Sequence, residues 1–275
     1  MGISILILTL NEEINIKGCI DSVAWSDDVV VLDSVSSDRT AAIAQELGAR
    51  VVQRKFDNWA SHQNWAVENI EFKHPWVFYI DADERCTSEL AAELQRVATV
   101  DAEAAAYRLR RKDHFMGRWL KRAQLYPTWI VRLFRPEKIR YERLVNPVAV
   151  VDGQIGELAE HLYHYPFSHG IAHWIERHNR YSTFEAQEAR KTRGALPPWK
   201  NLFSSDPNLR RHFQKEVFFR LPGRPLVKFL HYYFIRRGFL DGYPGFVYCA
   251  LQSIYEFFID CKQKEQERKE LGLSM

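Results

Sequence analysis

Along the first hundred residues, nearly unbroken apolar runs alternate with segments whose apolar positions recur every three or four residues. ISILILTL, residues 3–10, has no polar face, as expected of a strand covered on both sides within a parallel sheet. NEEINIKGCIDSVAW then places Ile14, Ile16, Cys19, Ile20 and Val23 at helical spacing. DVVVLD, residues 28–33, predicts a second buried strand. SSDRTAAIAQELGA predicts a helix with Ser36 or Ser37 as N-cap and Gly48 as its stop, and RVVQR a third strand. A helix over 59–69 leads to a fourth strand, WVFYI, and TSELAAELQRVA predicts the next helix. Strict alternation of this kind implies βαβ crossovers and a parallel sheet with helices on both faces.

In such a sheet, ligands collect at the carboxyl ends of the strands. TLNEE follows the first strand, Asp33 with SVSSDRT the second, and DADE the fourth, so these polar clusters are expected to converge on one crevice. DADE holds Asp81, Asp83 and Glu84 within four residues. Two readings fit it: carboxylates gathered around a divalent cation, or the acidic first turn of a helix. Neither GxGxxG nor GxxxxGK[ST] follows a strand, which argues against a dinucleotide oxidoreductase and a P-loop hydrolase. An acidic crevice without a glycine cradle is expected to hold phosphates through a metal.

Charge sharpens this division. Up to residue 105 there are 8 Lys or Arg against 18 Asp or Glu, leaving 30 of the 38 basic and 17 of the 35 acidic residues for the rest. An acidic half beside a basic one suits metal chemistry next to a surface for phosphates or an anionic leaflet. No nucleic-acid motif accompanies the basic residues, so nucleic acid is not an expected partner. At 275 residues and 46% hydrophobic content, the chain can bury a large core. Its four cysteines, Cys19, Cys86, Cys249 and Cys261, form no CxxC pair, and MGISILILTLNEE lacks the basic region of a signal peptide. A cytoplasmic protein is expected, either free or peripheral on the inner face of the membrane.

Taken together, ILTLNEE, VLDSVSSDRT and FYIDADE resemble the family 2 glycosyltransferases of the GT-A fold. RRKDHFMGRWLKR, YPTWIVRLFRP and RRGFLDGYPGF extend the resemblance over almost the whole chain, toward bacterial enzymes that build lipopolysaccharide core or related envelope glycans. The resemblance implies an α/β, Rossmann-like GT-A fold, with a mostly parallel sheet flanked by helices and a C-terminal helical extension. Residues 1–195 would form the catalytic domain, with a nucleotide-sugar half over 1–105 and an acceptor half over 106–195, and 196–275 the extension.

The resemblance also implies roles. Thr9, Asn11, Glu12 and Asp33 would hold the nucleotide, with Asp38 further along the turn either joining them or serving as a helix-start charge. Asp81 would touch ribose or metal-bound water. Asp83 would ligate Mg²⁺ or Mn²⁺ on the donor diphosphate, with His164 preferred to His161 and His169 as a second ligand. Gln63 and Asn64 would face the donor sugar or diphosphate. Residues 106–143 carry 12 Lys or Arg against 3 Asp or Glu. Arg132 in RLFRP is expected on a strand aimed at the crevice, where its guanidinium would clamp a diphosphate or an anionic acceptor.

One departure bears on mechanism. Relatives in this branch often carry a His-Glu pair after the RLFR strand, whereas Asn146 and Pro147 stand here. The general base then falls to Glu142, with Asp152 and Asp113 behind it. The expected activity is metal-dependent inverting transfer from a nucleotide-diphosphate sugar, UDP-linked, to a lipopolysaccharide-core or other lipid-linked glycan. Polyprenyl phosphate as acceptor and a non-catalytic sugar-binding member are the alternatives. Residues 165–195 predict a helix presenting Trp174, His178, Tyr181 and Phe184. Beyond it, Trp199, Phe218, Phe219, Phe229, Tyr232, Tyr233, Arg236 and Arg237 suit either an anionic membrane surface or a packed helical subdomain or dimer interface. The oligomeric state stays open.

Overall fold

The computed structural model describes residues 2–100, 103–124, 126–142, 147–191, 198–204, 209, 210, 213, 217, 218, 220, 221 and 223–274. Asn146 and Phe219 lie outside the described residues. The alternation expected at the start of the chain is present: β1 (Ile3–Thr9), α1 (Ile16–Ser22), β2 (Val29–Asp33), α2 (Thr40–Glu46), β3 (Arg50–Gln53), α3 (Trp59–Asn69) and β4 (Trp76–Asp81). After β4 the chain turns through Ala82 and Asp83 into β5 (Glu84–Cys86), and α4 (Ser88–Val100) starts only at Ser88. The acids of DADE therefore do not begin a helix. β6 (Ala104–Phe115), β7 (Arg118–Trp119), β8 (Thr128–Phe134), β9 (Ile139–Glu142), β10 (Val148–Val151) and β11 (Gln154–His164) follow.

Among the described residues, the main sheet runs in the order β3-β2-β1-β4-β8-β6-β11-β5, with β7 paired to β6, while β9 and β10 form a separate ribbon. β1, β2, β3 and β4 are mutually parallel, as is the β6–β11 pair. β8 is antiparallel to both β4 and β6, so the sheet is mixed but mostly parallel. Apart from Ser4 and Thr9, β1 is apolar because each face of the sheet has its own core. Ile3, Ile5 and Ile7 join Trp76, Phe78 and Ile80 on the face covered by α1 and α4, while Leu6 and Leu8 join Val77 and Tyr79 on the other. Registers of Thr9 with Asp33 and of Leu8 with Asp81 bring the ends of β1, β2 and β4 level.

The chain divides into two compact units, residues 1–119 with 125–168, and residues 120–124 with 169–275. The boundary lies after Ser168 and not at 195, because α5 (Gly170–Lys191) packs on the long C-terminal helix, as does α6 (Arg224–Leu230), with α7 (Gly242–Glu270) the helix they share. His178 on α5 stacks on Trp174 and meets Tyr255 edge-on at 4.9 Å. Lys262 donates to Asn179 Oδ1, Ser182 Oγ and Thr183 Oγ1 at 2.7–2.8 Å. Arg224 is buried with Glu256 and donates to Gln263 Oε1 at 2.7 Å. Segment 120–124 is fastened by Asp241 Oδ2, which accepts the N–H groups of Arg122 and Ala123 at 2.8 Å each.

Candidate active site

The loops after β1 and β2 are sewn together by side chains on main chain. Asn11, with a left-handed φ of 55°, accepts from Ser37 N at 2.8 Å through Oδ1, and its own N–H donates to Ser36 Oγ. Asp33 is wholly buried. Its carboxylate accepts from Ser36 N and Gln53 Nε2, both at 3.0 Å, and from Ser36 Oγ. Neither Ser36 nor Ser37 caps α2: Ser36 is held by Asp33, and Asp38 accepts instead from Thr40 N at 2.9 Å and from Glu13 N at 3.2 Å. Glu12 N donates to Thr40 Oγ1, and Glu12 Oε2 accepts from Asn15 Nδ2 at 2.6 Å. Thr9, Asn11, Glu12, Asp33 and Asp38 thus share one corner, and Thr9 Oγ1 is buried without a hydrogen-bond partner among the described residues. A buried, unmatched hydroxyl at a strand end is an open place for a ligand's polar group.

At the end of β4, the acids are separated into two sets. Asp81 Oδ2 and the wholly buried Glu84 share Nη2 of Arg132, each at 2.7 Å, while Tyr79 donates to Asp81 Oδ1 at 2.5 Å. Arg132 lies on β8, as expected, with its guanidinium 4.1 Å from the Tyr79 ring centroid. It does not reach out as a clamp for a ligand, because Asp81 and Glu84 hold it as their internal counter-ion. Burial pushes the Glu84 carboxyl above the usual range, and Arg132 opposes that shift.

The second set is Asp83, His164 and Asp113. The β11 register places His164 opposite Glu84 on one side and Asp113 on the other. His164 Nε2 stands 3.3 Å from Asp83 Oδ2, and its Nδ1 donates to Asp113 Oδ1. Asp113 is buried and also pairs with Arg111 Nε at 3.1 Å. Burial opposes a charge on His164, but Asp83 and the Asp113 hydrogen bond more than offset it, and the imidazole is pushed up to about 9. Burial likewise raises the Asp113 carboxyl, and His164 with Arg111 outweigh it to hold the group below its ordinary value. A carboxylate oxygen and an imidazole nitrogen facing each other, with the other ring nitrogen fixed by a buried carboxylate, form a donor set that fits a divalent cation. Asp83 and His164 are the residues that would hold it. Among the described residues, no group of three or more His, Cys, Asp or Glu gathers at metal-binding geometry, so phosphate and water would complete the shell.

Other expected residues lie elsewhere. Asn64 uses its amide on the main chain of β9, donating to Tyr141 O at 2.9 Å and accepting from Tyr141 N at 2.7 Å, so it fastens the β9–β10 ribbon. Gln63 is buried with Oε1 unpartnered among the described residues. Glu142 is exposed on β9, in the ribbon outside the main sheet, and pairs with Arg140 at 3.3 Å. Asp152 is exposed and pairs with Lys138. Asp113, ranked only as a distant base candidate, proves to orient His164. Its alternation with Arg111 along β6 was readable, but its pairing with residue 164 depends on an unseen strand register.

The model of the family described as Glycosyl transferase family 2 matches residues 4–157. The chain belongs to glycosyl transferase family 2. It is a glycosyltransferase, with the GT-A type of mixed, mostly parallel sheet. It is 26% identical over 271 residues to the lipopolysaccharide core biosynthesis glycosyltransferase LpsC of Rhizobium meliloti, covering 95% of this chain and 92% of that one. An uncharacterized glycosyltransferase of Rickettsia conorii is 28% identical over 280 residues, covering 97% and 91%. Among solved structures, S. aureus TarS residues 1–349 with UDP-GlcNAc aligns at 15% identity over 99% of this chain and 93% of that one, with a TM-score of 0.47.

Proposed function

We propose that the protein is a metal-dependent, inverting glycosyltransferase that moves a sugar from a UDP-sugar to a lipid-linked envelope glycan. The observation that carries this reading is the approach of Asp83 to His164 at the end of β4, with Asp113 fixing the imidazole behind them. Mg²⁺ or Mn²⁺ bound there would neutralise the donor diphosphate and the departing nucleoside diphosphate. Asp113 holds the His164 ring so that Nε2 faces the donor, and Arg132 keeps Asp81 and Glu84 in place beneath. The corner of Thr9, Asn11, Glu12 and Asp33 receives the nucleoside, with the unmatched Thr9 hydroxyl among the groups that bind it. Full-length similarity to an enzyme of lipopolysaccharide core synthesis supports a glycan of that class as acceptor. Titration of UDP with and without a divalent cation tests the reading.

Polyprenyl phosphate is a second acceptor, favoured by one observation. Glu142 is engaged with Arg140 on the outward side of β9, and an acceptor that is already anionic needs no strong base. The C-terminal unit suits a lipid-linked acceptor of either kind. No helix among the described residues is long and apolar enough to cross a membrane. Phe234, Ile235, Phe239, Leu240 and Tyr243 are nevertheless exposed, Ile235 by 74% and Tyr243 by 70%, around Arg236 and Arg237. Large apolar side chains beside arginines fit the headgroup region of an anionic leaflet. Phe229 and Tyr233, expected in that role, are stacked on each other at 5.3 Å.

A further inference from the structure

A cavity of about 560 Å³ opens beside the Asp83–His164 pair, lined by Asn15, Arg85, His114, Phe115, Tyr165 and Phe167 among others. That size falls within the usual range of ligand pockets, about 300–1,000 Å³. Tyr165 ties it to the site, since its N–H donates to Asp83 O at 2.9 Å. Its walls are rings: His114 stacks on Tyr165 at 5.4 Å, and Phe115 meets Phe167 at 4.1 Å. Part of the lining is the two-residue hairpin turn between β6 and β7, where Met116 and Gly117 have φ of 49° and 73°.

Arg85 is the sole charged side chain in that lining, and no carboxylate joins it. The arginines nearby are matched: Arg132 by Asp81 and Glu84, Arg111 by Asp113. Arg85 instead donates from Nη1 to two carbonyls, Ala82 O at 2.9 Å and Glu84 O at 2.7 Å, leaving the N–H groups of Nε and Nη2 without a hydrogen bond among the described residues. Its guanidinium lies 5.7 Å from the Tyr165 ring centroid. Gly18 makes room for it, since a Cβ there would meet Nε at 2.7 Å and Nη2 at 2.8 Å. A partly buried cation without a counter-ion, inside an aromatic pocket, lacks its anion.

We propose that this pocket receives the acceptor, and that the acceptor's sugar carries a carboxylate or phosphate that binds Arg85 while its ring lies against the aromatic walls. The inference rests on the glycosyltransferase reading and names the acceptor's chemistry. Placement agrees with it: Arg85 on β5, the end of β6 and the segment after β11 build most of the pocket, and Asn15, which donates to both Ser168 Oγ and Glu12 Oε2, joins its wall to the nucleoside corner, so donor and acceptor would lie side by side.

The test titrates glucuronate, glucose 6-phosphate and glucose into the full chain, followed by ligand-observed NMR, with UDP and Mn²⁺ binding measured in parallel. The wild type should bind one or both anionic sugars about tenfold or more tightly than glucose, and the tighter of the two names the anion. Arg85→Gln should lose that preference, Arg85→Lys should keep part of it, and Gly18→Ala should weaken it by displacing the guanidinium, on the scale of a charge-assisted hydrogen bond, roughly tenfold. Equal binding of glucose, no binding of either anion, or an undiminished preference in Arg85→Gln would overturn the proposal. UDP and Mn²⁺ binding in the wild type separates the two readings. If it is present while the anions fail, only the acceptor inference falls; if it is absent while the anions bind, the pocket stands and the donor reading falls.

Discussion

His164 Nε2 lies 3.3 Å from Asp83 Oδ2 while its Nδ1 donates to Asp113, so residues from β6, the turn after β4 and the end of β11 act as one unit. The arrangement explains how a chain tolerates the acids of DADE: Arg132 neutralises Asp81 and Glu84, and His164 pairs with Asp83.

Asp113 is a positioning residue. Asp113→Asn should lower the affinity for Mn²⁺ with UDP by roughly 10- to 100-fold, the usual effect of removing the carboxylate behind a ligating histidine. Nucleotide binding without metal should be unchanged, and calorimetry reads both. A loss of folding in place of this split, detected by circular dichroism, would mark Asp113 as structural alone.

Arg132 predicts a stability effect. Arg132→Met leaves Asp81 and Glu84 without their shared cation, Glu84 wholly buried, and should cost about 3–5 kcal/mol in urea unfolding. Combining it with Glu84→Gln should recover part of the loss, since one buried charge is then removed. If Arg132 served the ligand first, the single variant would unfold like the wild type and bind donor poorly.

Glu142 provides a sharper contrast between sequence and structure. A general base contributes about a hundredfold or more to turnover. With Glu142 exposed beside Arg140, Glu142→Gln should reduce turnover by less than about tenfold, measured with membrane-extracted acceptor. A larger fall with unchanged UDP affinity would restore it as the base.

The order of strands and helices through residue 81 was legible because β1, β2 and β4 are apolar on both faces and end in conspicuous acids. The approach of β1 and β2 loops followed from the same rule, since parallel neighbours end together. What escaped the sequence was set by register. Nothing in QIGELAEHLYH says that β11 inserts between β6 and β5, and only that insertion puts His164 beside Asp83 and Asp113. Arg132 was placed on the correct strand, yet its direction depended on Glu84, which sequence reasoning offered to a metal or a helix start. The bonds of Asn64 to the Tyr141 main chain were hidden in the same way, since that partner is 77 residues away.

The exposed apolar group in the C-terminal unit predicts membrane contact. Ile235→Glu should weaken co-sedimentation with vesicles containing anionic lipid and leave UDP binding intact, whereas vesicles of neutral lipid should bind both proteins poorly. Equal sedimentation of the variant and the wild type would remove this surface as an anchor.

The central claim is that Asp83 and His164 hold the cation on which donor binding depends. Calorimetric titration of UDP into the wild type and Asp83→Ala, each with Mn²⁺ and then with EDTA, tests it most directly. The account predicts binding by the wild type that disappears with EDTA, and binding by Asp83→Ala that is weak in both conditions. Metal-dependent binding that survives in Asp83→Ala would contradict it.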